Sequence, residues 1–169
     1  MRSPIISCIL RTPVRNASEN IDTIPDMTAA EPLILVVDDD YDFLEYNRAI
    51  LKGAGYRVLT AIGPRQALAE MAKERPDLVI SDLMMTDLNS GFSFARALKE
   101  DVHYGDIPII ICTSISATRG LDFDPRSQTD LDQMHIDAYM RKPPDVHRLL
   151  AMIDDLLGGV RPPFPSHGD

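Results

Sequence analysis

Asp38, Asp39, Asp82, Thr113 and Lys142 are five residues, at four widely separated places in the chain, whose side chains could together carry out phosphoryl transfer. Three carboxylates brought within a few ångströms repel one another, so such a site needs raised pKa values, a cation or both. Hard oxygen donors at that density suit Mg2+ or Mn2+ better than zinc, and no Cys/His ligand cluster competes. A divalent ion held by two carboxylates keeps open positions that accept phosphoryl oxygens. Lys142 offers a point charge to a phosphoryl group, and the Thr113 hydroxyl offers a hydrogen bond. Asp82 is then free to act as a nucleophile and form an aspartyl phosphate.

These residues share a local context. Leu33-Ile-Leu-Val-Val37 runs straight into Asp38, Asp39 and Asp40, and Asp77-Leu-Val-Ile-Ser81 into Asp82. Ile107-Pro-Ile-Ile-Ile-Cys112 ends in Thr113 and Ser114, and Asp137-Ala-Tyr-Met-Arg141 ends in Lys142 and Pro143. Short apolar runs bounded by polar residues read as strands buried on both faces, as in parallel sheets. The crevice of such a sheet lies outside the carboxyl ends of its strands, where all five residues fall.

The segments between the strands carry helical periodicity. Asp40 is placed to cap a helix bearing Phe43, Leu44, Asn47, Ile50, Leu51 and Ala54 on one face, stopped by Gly53 and Gly55. An alternating strand, Tyr56–Thr60, leads to a helix opened by Gly63-Pro64, carrying Ala67, Leu68 and Met71 and closed by Pro76. A third helix spans Gly91–Val102, with Phe92, Ala95, Leu98 and Val102 inward. The polar segment Ser114–His135 is the least regular and holds one short helix near Thr129–His135. The last helix carries Val146, Leu149, Leu150, Ile153 and Leu157 and ends at Gly158-Gly159. Five β-α units with short connections predict an α/β fold, a doubly wound five-stranded parallel sheet with right-handed crossovers.

At 169 residues the chain has room for one well-buried domain. Its 44% hydrophobic and 25% charged content is ordinary for a globular protein. A formal net charge of -9 argues against sequence-independent nucleic-acid binding, which needs a basic face. No apolar run approaches the ~20 residues that span a bilayer, so no membrane partner is expected. Cys8 and Cys112 are far apart and frame no disulfide, which makes a reducing cytoplasm the expected location. Residues 1–31, including a weak lipoprotein-like Ile5-Ile-Ser-Cys8, read as a disordered extension, with Met27 as an alternative start. Residues 32–158 form the folded domain, and 159–169 a Pro-containing tail.

At this point the chain closely resembles the response regulator receiver domain of two-component signalling, over about residues 33–157. The resemblance rests on Val37-Asp38-Asp39, Ser81-Asp82-Leu-Met-Met85, Cys112-Thr113-Ser114, Tyr139 and Lys142-Pro143. It implies the (βα)5 flavodoxin-like receiver fold and Asp82 as phosphoacceptor. It also implies Mg2+ held by Asp39, Asp82 and the Met84 backbone carbonyl, with Asp38 holding a metal-bound water. Thr113 and Tyr139 look like the family's coupled switch pair, and Lys142–Pro143 like its cis peptide. The sequence departs from the family in two places. Thr86 stands where Pro is usual, with Gly91 one residue late, and Ser114–His135 is longer than usual.

Other residues invite plainer readings. Asp40 is a helix cap, Asp87 and Asn89 are loop polar groups, and His103, His135, His147 and His167 are surface residues. The expected function is a stand-alone receiver, phosphorylated by self-catalysis from a histidine kinase, a phosphotransfer protein or a small phosphodonor. It would signal to a downstream protein partner rather than act as an enzyme on a metabolite. One alternative is an interaction module on the same fold that works without phosphorylation. Another is a metal-dependent phosphatase with an aspartyl intermediate, which usually needs a second Asp where Met84 stands.

Overall fold

The structure, a computed structural model, describes residues 31–85, 90–114 and 128–158. The strands are β1 (Leu33–Val37), β2 (Arg57–Ala61), β3 (Leu78–Ser81), β4 (Ile109–Thr113) and β5 (Ala138–Arg141). The helices are α1 (Tyr41–Gly53), α2 (Pro64–Met71), α3 (Ser90–Glu100), α4 (Gln128–Gln133) and α5 (Val146–Leu156). All strand pairs are parallel, in the order β2-β1-β3-β4-β5. The chain is therefore a doubly wound five-stranded parallel sheet, as the strand pattern predicts, in the (βα)5 flavodoxin-like arrangement that the resemblance implies.

Period-two alternation explains why the strands read as unbroken apolar runs. Leu35, Val37, Val79, Ile109 and Ile111 face one core, with Ala67, Met71, Phe94, Ala95 and Leu98 of α2 and α3. Ile34, Val36, Ile80, Ile110 and Cys112 face the opposite core, with Leu44 and Leu51 of α1 and Leu149 and Ile153 of α5. Both faces of the central strands are covered, so neither face can carry polar residues. Burial pushes the Cys112 thiol up to about 12, which makes it a small hydrophobe rather than a nucleophile.

At the amino ends of the strands, two further aspartates act as backbone acceptors. Asp77 accepts from the Leu33 N–H at 2.7 Å, and Asp137 from the Ile109 N–H at 2.8 Å while pairing with Lys99. Each satisfies an amide at the start of a neighbouring strand.

Several boundaries depart from the sequence reading. Helix α1 runs through Gly53, and Ala54 and Gly55 make the turn, Gly55 at φ +90. Helix α2 stops at Met71, well before Pro76. Helix α3 ends at Glu100, and Val102, expected inward, is 91% exposed because the helical stripe no longer extends to it. Strand β2, at a sheet edge, does not alternate: Arg57 is exposed, Val58, Leu59 and Thr60 are half-buried, and Ala61 is buried. Helix α4 ends at Gln133, and His135 takes a left-handed φ of 57. The extension through residue 30, Thr86, Asp87, Asn89, most of Ser114–His135 and the tail from 159 lie outside the described residues.

Candidate functional site

The sheet ladder itself delivers the acidic residues. Val37 pairs with Ser81 at the reversal of strand order between β1 and β3, so Asp38 and Asp82 emerge side by side. Backbone bonds continue one residue past the strand ends. The Asp38 N–H donates to the Ala61 carbonyl at 3.0 Å, that of Asp82 to Val37 at 2.9 Å, and that of Lys142 to Thr113 at 2.9 Å. Ligand oxygens of Asp38, Asp39 and Asp82 all lie within 4.8 Å of one another. Asp38 is fully buried, Asp82 is 5% exposed, and Asp39 faces solvent.

Lys142 enters this cluster from β5. Its ammonium donates to Asp38 Oδ2 at 2.5 Å and lies 3.2 Å from Asp82 Oδ2. One ammonium among three carboxylates leaves the pocket with excess negative charge. Burial raises the Asp38 carboxyl above the ordinary range and outweighs the Lys142 hydrogen bond. Burial disfavours the Lys142 ammonium, but the hydrogen bond to Asp38 and the charge of Asp82 outweigh it, so its pKa is also raised.

Asp82 Oδ1 is buried and has no hydrogen-bond partner. An orphaned carboxylate oxygen costs free energy unless something meets it. A hard divalent cation fits this donor set of three carboxylates, and a phosphoryl group could bond to the same oxygen. The Met84 side chain packs against the α2/α3 core, so a ligand role there falls to its backbone.

Asp40 lies outside the cluster. It caps α1, accepting from the Asp42 and Phe43 N–H groups at 3.0 and 3.2 Å, while its own N–H donates to Asp38 Oδ1 at 3.0 Å. Thr113 is buried at the end of β4. Tyr139 pairs with Ile111, so Thr113 and Tyr139 are diagonal neighbours on one sheet face, with Tyr139 half-buried against that core. The Lys142–Pro143 peptide is cis. His103, His135 and His147 are exposed and are not part of the cluster.

Two contributors escape a reading of the sequence. Phe43, visible there only as a member of the α1 apolar stripe, puts its ring 4.1 Å from Lys142 Nζ. Gly91 lies against the acceptor loop, its N–H donating to the Leu83 carbonyl at 3.0 Å. The sequence signal for it is a glycine at a helix start shortly after Asp82.

Comparison with known proteins agrees with this geometry. The response regulator receiver domain family model matches residues 34–154. Protein PilH of Pseudomonas aeruginosa is 33% identical over 126 residues, covering 75% of this chain and 98% of PilH. The heme response regulator HssR of Staphylococcus haemolyticus is 32% identical over 123 residues, covering 73% of this chain and 50% of HssR. The match likewise spans 49% of the DNA-binding regulator RpaA of Synechocystis, so it covers about half the length of these two relatives. The chemotaxis protein CheY4 of Vibrio cholerae superposes with a TM-score of 0.64 at 28% identity, covering 75% of this chain and 99% of CheY4. With its strand-end acidic cluster, parallel five-stranded sheet and family match, the chain belongs to the response regulator receiver domains of two-component systems.

Proposed function

We propose that this receiver accepts a phosphoryl group on Asp82 in a Mg2+-dependent reaction, and that the modified domain binds its protein partner differently. The observation that carries the reading is the buried Asp82 carboxylate, with Oδ2 beside Lys142, Oδ1 orphaned, and two more carboxylates alongside. Asp39, Asp82 and the Met84 carbonyl would hold the ion, with Asp38 binding a water on it. When bound, the ion offsets the excess negative charge of the pocket and of the incoming phosphoryl oxygens. Mn2+ would serve similarly.

An Asp82 carboxylate oxygen attacks phosphorus, and the bond from phosphorus to the donor breaks. The donor is a phosphohistidine of a kinase or phosphotransfer protein, or a small acyl phosphate, and its leaving group carries away the electron pair. Lys142 gives a phosphoryl oxygen a charge-assisted hydrogen bond. The Thr113 hydroxyl donates to another after moving inward at the end of β4. That movement leaves space for Tyr139 on the same sheet face and alters the surface of β5 and its flanking helices. A few kcal/mol of differential interaction suffice to convert a minority conformation into the dominant one. We place the domain in the cytoplasm; no helix among the described residues is long and apolar enough to cross a membrane.

The switch makes Thr113→Ala informative. This variant should still take up phosphoryl on Asp82, while the change in partner affinity on phosphorylation shrinks. The check is partner binding by titration calorimetry with and without a phosphodonor. An equal response in wild type and variant would remove Thr113 from the mechanism.

Metal binding separates neighbouring aspartates. Mg2+ at 100 times its dissociation constant should stabilise the wild type by about 2.7 kcal/mol. Asp39→Ala should abolish that gain. Asp40→Ala should keep it while lowering the metal-free stability by about 0.5–2 kcal/mol through loss of the α1 cap. Thermal melts with and without Mg2+ measure both effects, and a larger loss of Mg2+ response in Asp40→Ala would invert the assignment.

A further inference from the structure

We propose that Phe43 is a positioning residue for phosphoryl transfer, its ring face holding the Lys142 ammonium in line with Asp82; this rests on the function proposed above. An ammonium has three N–H donors. Lys142 directs them toward Asp38 Oδ2 at 2.5 Å and Asp82 Oδ2 at 3.2 Å, and its Nζ lies 4.1 Å from the centroid of the Phe43 ring. That distance is well inside the range in which a ring quadrupole attracts a cation. The Lys142 side chain is only 13% exposed, so little water screens the attraction.

The ring is itself held in place. Asp40 accepts from the Phe43 N–H at 3.2 Å and so fixes the first turn of α1. The side chain packs against the core formed by α1, α5 and one face of the sheet. A chain of contacts therefore runs from the Asp40 cap through the Phe43 backbone and ring to Lys142.

A ring is suited to this task because it attracts charge without offering a strong directional acceptor. A carboxylate or carbonyl in its place would hold one N–H in competition with the arriving phosphoryl oxygen. The ring instead lets Lys142 turn toward that oxygen while keeping the ammonium over the site.

Fluorination of the ring separates this role from packing, because it weakens the ring quadrupole with little change in volume. Full-length protein would be prepared with mono-, di- and trifluorophenylalanine at position 43, alongside Phe43→Leu and Phe43→Tyr. Phosphoryl uptake from acetyl phosphate with Mg2+ should slow stepwise along the fluorine series at constant melting temperature. Phe43→Leu should be slower by about tenfold, and Phe43→Tyr should recover most of the rate. A flat fluorine series, or rates that merely follow melting temperature, would overturn the proposal. In metal-free protein without phosphodonor, the ring current should shift the Lys142 ε-methylene protons upfield, and Phe43→Leu should abolish the shift. Absence of that shift in the wild type would also overturn it. If the shift is present but the wild type takes up no phosphoryl, the proposed function fails and the ring–ammonium contact stands as structural only.

Discussion

Asp82→Asn is expected to abolish phosphoryl incorporation completely. A carboxamide has neither the charge nor the nucleophilicity to form an acyl phosphate, and the other two carboxylates of the cluster belong to the metal set in this account. The substitution keeps the shape of the side chain and removes one of three mutually repelling charges around a single ammonium. The fold should therefore survive, with a metal-free melting temperature at or above that of the wild type. Intact-mass measurement after incubation with Mg2+ and acetyl phosphate is the check. The wild type should gain one phosphoryl mass and the variant none. Labelling of the variant at wild-type extent would place the acceptor elsewhere.

The second large effect is predicted for Gly91. A Cβ built there would lie 2.2 Å from the Asp82 carbonyl oxygen, 2.6 Å from Leu83 Cα and 2.7 Å from the Leu83 carbonyl oxygen. All three atoms are backbone, so no side-chain rotation relieves the overlap; either α3 or the acceptor loop must move. Gly91→Ala should cost about 3 kcal/mol, the upper part of the range for overpacking. It should also weaken the Mg2+-dependent stabilisation, because the displaced loop is the one that carries Asp82. Gly53 provides the contrast, since a Cβ there meets nothing within 4 Å. Gly53→Ala lies in the last turn of α1 and should be neutral or stabilising by up to about 1 kcal/mol. Urea unfolding of both variants tests the pair. Equal stability of Gly91→Ala and wild type would mean that α3 does not pack against Asp82 in this way.

The contrast between these glycines marks what a sequence can disclose. The sheet was legible because central parallel strands are buried on both faces and so appear as unbroken apolar runs. The acidic cluster was legible for a related reason: carboxylates directly after such runs have to emerge at the carboxyl edge. The steric closeness of Gly91 to the Asp82 carbonyl exists only once α3 is laid on the loop, so the residue type alone could not separate it from Gly53. Phe43 has the same status. Its place on the α1 stripe follows from spacing, but its contact with Lys142 depends on α1 beginning at the same edge of the sheet where β5 ends. Misplaced boundaries have local causes. Gly53 is tolerated in the last turn of α1, and Val102 lies past the end of α3, where the inward stripe stops. Pro76 looked like the end of α2, yet the helix gives way to turns straight after Met71.

The central claim is that one carboxylate, Asp82, becomes an acyl phosphate when a cation joins the cluster of Asp38, Asp39 and Lys142. Borohydride reduction cleaves an acyl phosphate and leaves homoserine at the modified aspartate, which peptide sequencing by mass spectrometry locates. After incubation of the wild type with acetyl phosphate and Mg2+, homoserine is predicted at position 82 alone and should disappear when EDTA replaces Mg2+. Homoserine at position 38 or 39, or at position 82 to the same extent with EDTA, would contradict the account.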